Sequence, residues 1–294
     1  MVNEKEKFAK ANFLQKSQTS HKENLQRKNQ FLNFAKFSKE LLVIIPHSGT
    51  KIPSEIIISS ISKKGFEMVG SPNAETDWFS DKLYDFRKIL HNKQLVFPYS
   101  QVFLNVCRSP ENINSAVPVS IRGNPVFEKN SIPTLEERKN LLKKYSLPFY
   151  EKIKSFKGKL IFNGHTTVSG HSSLNSGLNY DIALSSFFIQ NGKKIIFAPE
   201  KVLMIYAKEL KKRFPSLRIG INDLYMDVYE YICDWFGWKG EGSSGIPMIH
   251  QETNEVLYIH DGILDKKKLA SLQKGFAEAL GETIEWMEKE FVFH

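Results

Sequence analysis

The stretch LLVIIPHSGT, residues 41–50, decides how the rest of the chain reads. Leu41 to Ile45 is an unbroken apolar run closed by Pro46, with no alternation of polar and apolar positions. A strand of that composition needs cover on both faces, which is the habit of a parallel strand inside an α/β protein. It delivers His47, Ser48 and Gly49 to the loop that follows. A second short run, KLIF at 159–162, does the same for Asn163, Gly164 and His165. Ligands in open α/β sheets gather at the carboxyl ends of strands, so these two histidines are the first candidates for chemistry.

Working outward, further extended runs are expected at 94–97, 101–106, 182–184, 194–198, 217–221 and 246–250. Phe79, Leu83, Phe86 and Leu90 recur at helical spacing after Thr76, which would serve as N-cap and place Asp77 in the first turn. Thr134 and Glu137 have the spacing of a capping box, opening a helix that Pro148 interrupts or ends. Helices are also expected over 199–214 and from 265 to about 290. Strands and helices alternate, and no repeat or low-complexity linker divides residues 41–294, so an α/β fold in one domain is expected there.

Residues 1–40 differ in character. They hold nine Lys or Arg against four Glu, a large part of the formal net charge of +9. They read as a basic, polar N-terminal tail with some helical content, ahead of a near-neutral domain. A charge concentrated in a tail does not define a nucleic-acid-binding protein, and no nucleic-acid partner is expected. Hydrophobic residues make up 41% of the chain and aromatics 12%, ample for a folded core and too much for a disordered polymer. Cys107 and Cys233 are too few for a disulfide framework and lack the spacing of a zinc ribbon. There is no apolar leader segment and no long apolar run, so a cytoplasmic protein without membrane spans is expected.

A catalytic zinc takes three protein ligands from His and Asp or Glu and leaves one position for water, whose pKa falls to about 7. With His47 and His165 in hand, the third ligand should be a carboxylate, and Asp77 and Glu75 in AETDW are the candidates. Either acid would also suit a first helical turn on dipole grounds alone. Hydrolysis further needs a base off the metal, and Glu252 follows the apolar run 246–249. Arg108, after VFLNVC, could grip a substrate carboxylate or polarise the carbonyl under attack. His171, His250 and His260 have no spacing that distinguishes them.

These residues fall in segments that resemble N-formylglutamate amidohydrolases. PHSGTKIP (46–53) resembles the opening motif of that family, and TDWFSDKLYDF (76–86) its TDW segment. LNVCRSPEN (104–112), NGHT (163–166) and HQETN (250–254) resemble its DLNR-type, D-x-H-S and late Gln-x-Glu motifs, all in the same order. The resemblance covers residues 41–290. It implies a mixed sheet sandwiched by helices, like the zinc carboxypeptidases and aspartoacylases, and a site with one Zn2+ per chain held by His47, Asp77 and His165. It also implies Glu252 as base, Arg108 as the residue that binds or polarises substrate, and a small anionic N-acyl amino acid as that substrate. Asn105 and Asp181 fall in matching segments and become substrate-binding candidates.

Four positions depart from the family pattern. Asn105 and Cys107 stand where it has Asp and Asn, Asn163 where it has Asp, and Phe79 where it commonly has His. Two alternatives follow: a zinc carboxypeptidase or deacylase acting on another substrate, and a non-catalytic binding descendant.

Overall fold

Leu41–Ile45 forms strand β1, buried at all five positions. The structure is a computed structural model that describes residues 37, 39–70, 75–167, 180–223, 230–243 and 245–290. All but the end of the expected tail, residues 1–36 and 38, lies outside them. After β1 and a two-turn helix over Lys63–Gly70 come two single-turn helices, α1 (Ser80–Leu83) and α2 (Arg87–Leu90), and strand β2 (Lys93–Val96). Helices α3 (Leu135–Leu141) and α4 (Leu147–Lys154) lead into β3 (Leu160–Thr167). Strand β4 (Ile182–Ser185) is followed by a hairpin, β5 (Phe187–Gln190) and β6 (Lys193–Ile196), and by helix α5 (Glu200–Arg213). The chain ends with β7 (Ile219–Ile221), α6 (Tyr231–Phe236), β8 (Met248–Asn254) and the long helix α7 (Lys266–Glu290).

Six strands form one sheet in the order β2-β1-β3-β8-β4-β7. The first four are mutually parallel, β4 runs antiparallel to β8, and β7 is parallel to β4. The mixed, helix-flanked sheet expected from the sequence is the one observed. Successive residues of β1 go to opposite sides: Leu42 and Ile44 join a core with Phe97, Phe103 and Phe149, while Leu41, Val43 and Ile45 join another with Phe162, Tyr206 and Phe276. Cover on both faces is why the run LLVII carries no polar position. None of the described helices is long and apolar enough to cross a membrane.

The expected helix over 77–90 is instead two turns, and Asp77 precedes the first of them. Phe79, at φ 60°, leads into α1 as its N-cap in place of Thr76. Tyr84 and Phe86 are both fully buried, and residues two apart on a continuous helix point to different sides. Breaking the helix between them lets both rings enter the core beside Phe162.

Residues 101–106 are turns, not a strand. Phe103 and Leu104 both donate to Ser100 O, and a consecutive apolar run suits a buried turn as well as a buried strand. The Thr134–Glu137 capping box has both of its hydrogen bonds. Pro148 does not end the helical path: a wide π-type turn over Leu142–Ser146 absorbs the geometry, and Pro148 sits in the first turn of α4, where its missing N–H removes no bond. Of the run 194–198, residues 194–196 pair within the β5–β6 hairpin, outside the main sheet, whereas Phe197 O accepts the Met248 N–H at the start of β8.

Candidate metal centre

His47 lies one residue beyond Pro46, where β1 has ended, and His165 lies near the end of β3. Both segments need a glycine beside the histidine because other groups crowd against the backbone. A Cβ on Gly49 would stand 2.3 Å from the carbonyl carbon of Pro98. A Cβ on Gly164 would stand 2.6 Å from the ring of Tyr84, whose hydroxyl donates to His165 O at 2.5 Å and lies 2.8 Å from Thr253 Oγ1. Gly164→Ala must displace that ring, and a loss of about 1–3 kcal/mol in unfolding free energy is expected on denaturant titration. An unchanged midpoint would show that Tyr84 has room to move.

Asp77 is fixed from several sides. Its N–H donates to His47 O at 3.1 Å, and its Oδ2 accepts the Thr166 N–H at 3.2 Å. Oδ2 also lies 3.3 Å from His165 Nδ1 and 4.0 Å from His47 Nδ1. One ligand atom from each of His47, Asp77 and His165 falls within 4.8 Å of the others. Of the two carboxylates weighed in AETDW, Asp77 joins this group, whereas Glu75 pairs with Arg122.

The donor set suits a divalent cation. Burial pulls the His47 imidazole down to about 3, more strongly than the neighbouring Asp77 pulls it up. Burial, with His250 close by, brings His165 to about 3 as well. Both rings are therefore neutral and keep a lone pair for an ion. Asn105 sets the tautomer of His47: its Oδ1 accepts the Cys107 N–H at 3.0 Å and faces His47 Nε2 at 3.3 Å. Nε2 must then carry the proton, leaving Nδ1 for the metal side. Asn105, a substrate-binding candidate in the sequence, is thus placed against His47.

His47, Asp77, Arg108, His165 and Glu252 all line one cavity of about 150 Å³. Its carboxyl groups are Asp77, Glu230 and Glu252, and its one guanidinium is Arg108. Burial pushes the Asp77 carboxyl up from its ordinary range, and a divalent cation at the centre would favour its charged form. A larger cavity of about 570 Å³ beside Glu55 and Leu141 has no histidine or cysteine in its wall. Asp181 does not line the centre. Its carboxylate pairs with Arg218, and its main-chain carbonyl accepts from Asn254 N.

Four further residues line the cavity that the sequence did not mark as site candidates: His250, Cys107, Glu230 and Cys233. His250 was legible from parity, since it stands two residues before Glu252 on one strand and shares its face. Its Nε2 lies 3.6 Å from Glu252 Oε1. Glu230 comes from the start of α6, where its side chain accepts the Cys233 N–H. His171 is outside the described residues.

Glu255, also unforeseen, holds the loop that carries Asp77. Its Oε1 accepts from Trp78 N at 3.0 Å and from Thr166 Oγ1 at 2.8 Å. Burial, with Asp77 adding repulsion, pushes its carboxyl up to about 7 from 4.5, against the Thr166 hydrogen bond. The folded state then holds this proton longer than the unfolded chain does, so stability falls as pH rises from about 4.5 to 7. Glu255→Gln keeps the acceptor and removes the titration. Metal-free Glu255→Gln should gain up to ~3 kcal/mol over the parent between pH 4 and pH 8 in denaturant melts. A gap independent of pH would contradict the shift.

The fold is thus a mixed α/β sheet flanked by helices, with histidines and carboxylates gathered toward the carboxyl ends of its strands. No protein-family model matches the chain. In fold the chain is similar to an N-formylglutamate amidohydrolase from Ralstonia eutropha, with TM-score 0.59 and 15% identity, over 86% of this chain and 95% of that one. A gene product of Agrobacterium tumefaciens is similar as well, with TM-score 0.56 and 14% identity, over 87% and 94% of the two chains. In sequence it is 22% identical to the N-formylglutamate deformylase of Pseudomonas putida over 175 residues, 54% of this chain. That match spans 63% of the relative's length. The resemblance to N-formylglutamate amidohydrolases seen in the motifs therefore extends to the fold.

Proposed function

We propose that the protein is a metal-dependent amidohydrolase that cleaves the amide bond of a small N-formyl or N-acyl amino acid, with one Zn2+ held by His47, Asp77 and His165. The observation that carries this reading is the convergence of two neutral imidazoles and a buried carboxylate within 4.8 Å, in the same cavity as Glu252 and Arg108. The ion, when bound, supplies Lewis-acid activation of a water and of the scissile carbonyl. Glu252 accepts the proton of the attacking water and returns it to the leaving nitrogen. His250 holds Glu252 from the side through Nε2. Arg108 donates to the substrate, either to its carboxylate or to the oxygen that gains charge during attack.

The names of the relatives support an N-acyl amino acid as substrate class. The test is elemental analysis of the purified protein, followed by a screen of N-formyl and N-acyl amino acids with and without a chelator. About one zinc per chain and chelator-sensitive release of a free amino acid are expected. Release from a peptide carboxyl terminus would move the assignment to a carboxypeptidase. Absence of a stoichiometric ion after zinc is supplied would leave a non-catalytic binding protein.

A further inference from the structure

Behind His165, on the side away from Asp77, lies a buried polar cluster that the proposed reaction does not use. Glu230 is its centre of charge. Its Oε2 accepts the Cys233 N–H and the Asn163 Nδ2–H, each at 3.1 Å, whereas Oε1 is buried with no hydrogen-bond partner. His165 Nε2 is likewise buried with no hydrogen-bond partner. A ring nitrogen of His165, a carboxylate oxygen of Glu230 and the Cys107 sulfur all lie within 4.8 Å of one another.

The two unpartnered atoms are complementary. If His165 gives the Nδ1 lone pair to an ion, the single proton of the neutral ring must sit on Nε2, which then needs an acceptor. The acceptor offered is a carboxylate already fixed by its other oxygen.

We propose that Glu230 is the outer carboxylate of the metal centre, its carboxylate, within 4.8 Å of a His165 ring nitrogen, favouring the proton on Nε2 and so the tautomer in which Nδ1 is the ligand. Glu230 is a positioning residue in this scheme and does not meet the substrate. The inference rests on the reading of His47, Asp77 and His165 as metal ligands. It also accounts for Asn163, which stands two residues before His165 on the same face of β3 and brings no charge of its own. The anion comes from α6 instead, and the Asn163 amide helps to hold it.

A different use of the cluster has a geometric obstacle. Glu230, Cys233 and His250 could themselves surround an ion, but the Asn163 amide nitrogen already sits among them. It is 3.1 Å from Glu230 Oε2, 3.3 Å from His250 Nδ1 and 3.5 Å from Cys233 Sγ.

The test is zinc affinity of the full chain, measured by competition with a chromophoric chelator. Glu230→Gln keeps an acceptor for the Cys233 N–H, so α6 stays capped, and thermal melting checks that the variant is folded. Zinc affinity should fall roughly 10–100-fold. Asn163→Asp in the Glu230→Gln background returns a carboxylate to the His165 side of the sheet, and most of the lost affinity should return. A merely structural role for Glu230 would not be rescued in this way. Affinity of Glu230→Gln within about threefold of the parent overturns the assignment, because loss of an outer carboxylate costs a metal site roughly tenfold or more. So does a double variant no tighter than the single one, or a second zinc equivalent lost in Cys233→Ser. A parent protein that binds no zinc overturns the metal centre itself, and this assignment with it.

Discussion

Replacing Glu252 by Gln should leave the zinc in place and lower turnover about 100-fold or more, equivalent to ~2.7 kcal/mol or more of transition-state stabilisation. The side chain is positioned by β8, where Glu252 stands in register with His165 on β3 and Ala183 on β4. A strand buried between two neighbours cannot shift it, so loss of activity would follow from loss of the proton acceptor and not from displacement. Gln has the same shape and can still meet His250, but it cannot take a proton from water. The measurement is kcat beside metal content for parent and variant. Normal turnover in a zinc-replete Glu252→Gln protein would falsify the assignment of the base.

His165→Ala should abolish stoichiometric zinc. The imidazole is one of three ligands, and its removal leaves His47 and Asp77, a pair that is incomplete for a zinc site. It also leaves the buried Asp77 without the ring 3.3 Å from its Oδ2. Zinc should then no longer raise the melting temperature of the variant, whereas it should raise that of the parent by mass action on the folded state. Retention of a full equivalent of zinc would exclude His165 as a ligand. Comparison with His47→Ala shows whether the two imidazoles serve the same ion.

What could be read in the sequence was what strands and local spacing control. The unbroken runs at 41–45 and 160–162 fit central strands because a strand covered on both faces has no polar position. Their carboxyl ends led to His47 and His165 directly. Asp77 could not be separated from Glu75 on spacing, since both precede the same turn, and only the Thr166 N–H and the two imidazoles single it out. Glu230 and Cys233 were invisible for a different reason. They come from a six-residue helix and its cap, which reach the centre through the tertiary fold, with nothing local to mark them. Residues 101–106 and the broken helix after Phe79 went astray because core burial overrode local periodicity at Tyr84, Phe86 and Phe103.

The β5–β6 hairpin has a consequence for how such a centre can change over evolutionary time. Phe188, on the hairpin, and Phe197, immediately after it, form part of the cavity wall; among the described residues the two strands of the hairpin pair only with each other, and Phe197 O, just beyond them, accepts the Met248 N–H that opens β8. Substitutions, insertions or exchange of this ribbon can therefore reshape what enters the cavity while the strands that carry His165 and Glu252 keep their register. Selectivity and chemistry are mounted on separable parts of the chain, so descendants of this protein can diversify in the molecules they accept without rebuilding the centre that acts on them.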